Sequence, residues 1–176
     1  MLASALNGSR RPQEAAPVYE GALGLARALG DGAPARAIAV ASNNLASDLL
    51  KSASRSAAES ALMRLAADAA HEYWLKCGDW MNDERALYLK AMVANALDDP
   101  NTALKQAERA LAIIAEHGGE PIDETFLQLT RAEALKLTGD TEASERALAQ
   151  ADARAGAWDD EGLRSWYAAE RARAAT

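Results

Sequence analysis

Apolar and small side chains return every three or four positions along nearly all of this 176-residue chain, the spacing of amphipathic helices. Tyr19, Leu23, Ala26 and Leu29 form a first stripe, predicting a helix from about Pro12 that the Gly30-Asp31-Gly32 run ends. A second helix is predicted from Pro34 to about Lys51, with Ile38, Ala41, Leu45 and Leu49 on its apolar face. A third follows from about Ser56 to Leu75, before Cys77-Gly78-Asp79 interrupts the pattern. Asn82 or Asp83 is placed to cap a fourth, which carries Leu87, Ala91, Ala94 and Leu97. Asp98-Asp99-Pro100-Asn101 reads as a turn into a fifth helix that His117-Gly118-Gly119 closes at Glu116. Asp123 is placed to cap a sixth, Gly139-Asp140 turns into a seventh over 142–155, and a last helix over 161–174 carries Leu163, Trp166 and Tyr167. Residues 1–11 read as a flexible lead and 12–176 as one helical domain.

Within this run one phrase recurs. Ala15-x3-Tyr19-x2-Ala22-Leu23 is followed by Ala58-x3-Leu62-x2-Leu65-Ala66, Ala103-x3-Ala107-x2-Ala110-Leu111 and Ser144-x3-Leu148-x2-Ala151. The starts lie 43, 45 and 41 positions apart, a period that signals stacked helix pairs. Alanine fills about a quarter of the chain. It is the strongest helix former, and its small side chain lets helices approach closely. No convincing alternating strand is present, so the fold class expected is all-α.

Charge removes several function classes. The net charge is −7, with Arg and Lys interspersed among Asp and Glu, which argues against nucleic acid because phosphate contacts need a basic face. Apolar runs fall far short of the ~20 residues a membrane helix needs. The N-terminus lacks a charged stretch ahead of its short apolar one, which argues against a signal peptide, and the lone Cys77 excludes an internal disulfide. A cytoplasmic location is expected, and the predominance of Arg over Lys with the high alanine content hints at a GC-rich bacterial genome.

The runs Gly139-Asp140-x3-Ser144-x3-Leu148-x2-Ala151, Ala91-x2-Ala94-x4-Asp99-x3-Ala103 and Asn44-Leu45-Ala46 resemble the tetratricopeptide repeat. Small Ala46, Ala91 and Ala132 match its first-helix crossing position, and Ala58, Ala103 and Ser144 the small position early in its second helix. The units here are longer than the usual 34 residues, as in arrays that accompany bacterial signalling and regulatory proteins. The resemblance implies an α-solenoid of about seven or eight helices with a C-terminal capping helix. It also implies that first helices line a concave partner-binding groove. Carried over residue by residue, the groove would contain Asn43 and Ser47, then Arg85, Tyr88, Met92 and Asn95, then Phe126, Glu133 and Lys136. Carboxamides suit peptide backbone, Arg85 a carboxylate, and Tyr88 with Met92 an apolar side chain.

No glycine-rich phosphate loop, metal-ligand spacing or nucleophile elbow stands in the sequence. His71 reads as a rim histidine, His117 as a helix-end residue, and the paired carboxylates as caps. Trp74 and Trp80 flank Gly78 as a staple between repeats or an exposed hot spot. The expectation is a non-enzymatic protein- or peptide-binding scaffold without cofactor or metal. The alternative is a self-associating regulatory segment, a homodimer.

Overall fold

The computed structural model describes residues 12–30 and 34–175, so the expected lead over 1–11 lies outside the described residues. Among those described there are eight helices and no strand. They are α1 Pro12–Leu29, α2 Ala35–Leu50, α3 Ala57–Cys77, α4 Trp80–Ala96, α5 Pro100–Glu116, α6 Pro121–Leu137, α7 Thr141–Ala155 and α8 Glu161–Ala175. The chain forms two compact units, the first ending at Val93 and the second beginning at Ala94, inside α4.

Local chemistry sets the helix ends. Ser56 and Glu59 form a reciprocal capping box at the start of α3: the Ser56 hydroxyl accepts from Glu59 N–H, and the Glu59 carboxylate accepts from Ser56 N–H at 2.8 Å. The backbone amide of Ser56 holds the Glu59 carboxyl below its ordinary value. Two expected caps lie elsewhere. The fourth helix starts at Trp80, because Asp79 already supplies the oxygen that Asn82 N–H needs, at 3.1 Å. The sixth is capped by Glu120, whose longer carboxylate reaches the Ile122 and Asp123 amides at 2.9 Å. Asp99 and Asp140 cap α5 and α7. Helices α4, α5 and α6 close the same way, with a left-handed residue whose following amide reaches back five residues. That residue is Gly118 in α5 and Gly139 in α6, but Asp98 in α4, at a φ of 55°.

In the first unit α3 is the central element and packs against α1 and α2. Alanines 66, 67, 69 and 70 are all buried, so the neighbouring helices come close, while Leu62, Met63 and Tyr73 fill the remaining volume. Tyr19 of α1 donates to Ser42 Oγ of α2 at 2.6 Å, and burial raises the Tyr19 hydroxyl pKa. Arg27 reaches Glu72 across α1 and α3.

In the second unit α6 is the central element, with α5, α7 and α8 against it. Six consecutive residues, Thr125 to Thr130, are buried. A helix with a single buried face cannot bury six in a row, so neighbours surround this one. Small residues set the crossings: Ala132 and Leu135 meet Ala147, and Ala94 meets Ala103 and Ala134. Ser144 Oγ donates to the Ala132 carbonyl at 2.8 Å.

Candidate partner-binding site

In the first unit Asn43 and Ser47 are half-buried and one turn apart on α2. Arg85, Tyr88 and Met92 stand three and four residues apart on α4 and share one stripe, with Arg85 exposed and the other two half-buried. Arg85 Nε lies 3.4 Å from the carboxylate of the wholly buried Glu84. The stripe therefore lines up a cation already paired with Glu84, a phenol and a thioether.

In the second unit the expected residues are largely committed to the unit's own structure. Asn95 is only 5% exposed. Its Nδ2 donates to the Thr130 carbonyl at 2.9 Å and to Glu133 Oε2 at 3.0 Å, so two expected groove residues do meet. Asn95 Oδ1 is buried and accepts no hydrogen bond. Burial pushes the Glu133 carboxyl pKa up, against the opposing charge of Arg173 and the bond from Asn95. Phe126 is 2% exposed. Its ring lies 4.2 Å from Trp166 and 6.1 Å from both Trp158 and Tyr167, centroid to centroid. Lys136 is exposed in the last turn of α6.

Sequence reasoning read Phe126 as facing a partner, but the chain's own C-terminal aromatics cover it. Trp166 and Tyr167 were visible as the apolar face of a last helix, although nothing in their spacing told which helix they cover. Asp152 had no signal at all. Its Oδ1 accepts from the Tyr167 hydroxyl at 2.5 Å and from Arg171 Nε at 3.0 Å, and its Oδ2 accepts from Arg171 Nη2 at 3.2 Å. Burial pushes the Asp152 carboxyl up, but the bonds from Arg171 and Tyr167 and the Arg171 charge outweigh it and hold the pKa below the ordinary value. The Tyr167 hydroxyl is raised strongly, by burial first and then by its bond to Asp152.

Other candidates change place. His71 is buried, not on a rim, and its Nε2 lies 2.8 Å from Asp83 Oδ1, which joins α3 to α4. Asp83 is thus engaged across the two helices rather than at a cap. His117 occupies the C-terminal end of α5, its Nδ1 2.9 Å from the Ile113 carbonyl. Trp74 is half-buried beneath the Arg36 guanidinium, 5.6 Å from the ring centroid. A shallow apolar groove of about 850 Å³ is lined by the start of α2, Val40 and Cys77, and includes none of the expected site residues. Among the described residues no three His, Cys, Asp or Glu side chains converge as a metal site would require, and no helix is long and apolar enough to cross a membrane. No family model, curated protein or solved structure matches the chain.

Proposed function

We propose that this chain is a tetratricopeptide-like α-solenoid that binds a protein or peptide partner through its first-helix faces and performs no chemistry of its own. One observation carries the reading. The small positions on which the resemblance rests act as helix crossings: Ala132 and Ser144 meet through the Ser144–Ala132 hydrogen bond, and Ala103 lies against Ala94 and Ala134. In this reading the Arg85, Tyr88 and Met92 stripe faces the partner, along with Asn43 and Ser47. A helix face of this mixed character suits an extended peptide or a helix carrying a carboxylate and an apolar anchor.

The test is a peptide-display selection on the intact chain, followed by titration of the selected peptides. Arg85→Ala with Tyr88→Ala is expected to weaken them at least tenfold, whereas Arg109→Ala and Glu145→Ala, at exposed positions on second helices, leave them unchanged. Equal loss in both sets, or in neither, refutes the assigned face.

A second reading is favoured by the exposed apolar side chains of the first unit: Leu25 is 71% and Leu29 63% exposed. The two stand one turn apart on α1 and form a small apolar strip, for which a second copy is the simplest partner. A mass of 18.6 kDa by light scattering at high concentration would exclude this reading.

A further inference from the structure

Helix α8 is weakly built into the fold for an element that covers so central a residue. Among its described side chains, only Tyr167 and Ala174 are fully buried. Trp166 packs against Phe126 with the rings tilted, yet remains 52% exposed. The remaining attachment is polar: the Asp152 carboxylate on Tyr167 and Arg171. Trp166 meets Phe126, and the charges of Arg173 and Glu170 act on the Glu133 carboxyl. Helix α8 packs against α6.

The seat beneath it is aromatic and acidic. Phe126 and Trp158 supply an aromatic floor, with their ring centroids 6.1 Å apart. Asp152 supplies a carboxylate that holds Tyr167 and Arg171, and the Glu133 carboxyl lies within the influence of the α8 charges Arg173 and Glu170.

We propose that α8 is an exchangeable occupant of this seat. The partner it stands in for is an amphipathic helix of another protein, with two adjacent aromatic residues followed four positions later by an arginine, as in Trp166-Tyr167-x3-Arg171. Helix-in-groove recognition reads such anchors at one-turn spacing, and the two carboxylates of the seat select a basic helix. The inference rests on the reading of first-helix faces as partner surfaces and names the partner class for α6.

The test uses the full chain and a labelled synthetic peptide of residues 159–176. In Tyr167→Ala with Arg171→Ala, α8 loses its hold on Asp152 while the seat is intact. Hydrogen exchange is expected to rise over 161–175 and stay unchanged over 121–155. The peptide is expected to bind this variant at least tenfold more tightly than the wild type, and Asp152→Ala is expected to abolish that binding. Equal binding to variant and wild type, or loss of α6 protection together with α8, overturns the proposal. If the double variant unfolds, Arg171→Ala alone decides by the same two readouts. Failure of the peptide to bind while display-selected ligands still bind defeats this inference alone. Peptide binding to the opened variant while no selected ligand responds to Arg85→Ala defeats the first-unit face and supports this seat.

Discussion

Phe126→Ala separates a residue that waits for a partner from one that holds the second unit together. The side chain is 2% exposed and contacts three aromatic rings. Truncating a buried phenylalanine costs about 3–5 kcal/mol, from lost transfer energy and the cavity left behind. Phe126→Leu keeps most of the apolar volume and loses the ring pairs, each worth about 0.5–1.5 kcal/mol, so it should cost about half as much. A solvated groove residue would cost less than about 0.5 kcal/mol on truncation. Urea unfolding followed by circular dichroism gives the free energies, and tryptophan emission, with Trp74→Phe and Trp80→Phe in the background, reports Trp158 and Trp166. A loss under about 1 kcal/mol for Phe126→Ala, with emission unchanged, would refute the assignment of Phe126 to the core.

Acid should act on the second unit in two opposite steps. Burial raises the Glu133 carboxyl, so its protonation favours the folded state, and stability rises as pH falls from neutrality toward the ordinary carboxylate range near about pH 4. The Asp152 carboxyl is lowered, so its contribution is complete above that range and is lost as pH falls below it, releasing Tyr167 and Arg171. Urea midpoints across pH check both steps, and Glu133→Gln should flatten only the first. Ser56→Ala should cost about 0.5–2 kcal/mol by removing the capping box of α3, measured by the same melts. Asp98→Gly should stabilise by about 0.5–1 kcal/mol, since glycine adopts the left-handed conformation freely, and Gly139→Ala at a φ of 86° should destabilise by about 1–2 kcal/mol. A shift of the same sign in both melts would contradict the shared helix closure.

The sequence by itself determined the helices. Apolar spacing and the Gly, Pro and Asp punctuation place all eight, because helix formation and termination depend on groups within four or five residues of one another. The two caps placed wrongly are instructive: Asp79 and Glu120 each act one turn before the residue expected, within the reach of a side chain that the pattern leaves undefined. The small positions Ala103, Ala132 and Ser144 were legible as crossings, since only small side chains allow two helices so close. The tertiary structure alone decided which side chains are covered. Phe126 and Arg85 look alike as first-helix residues, but one lies beneath Trp166 and Tyr167 and the other is exposed. That difference depends on a helix forty residues further along the chain. Likewise the Asp152 clamp and the His71–Asp83 pair join residues with no shared local pattern, so only the packing of whole helices brings them together.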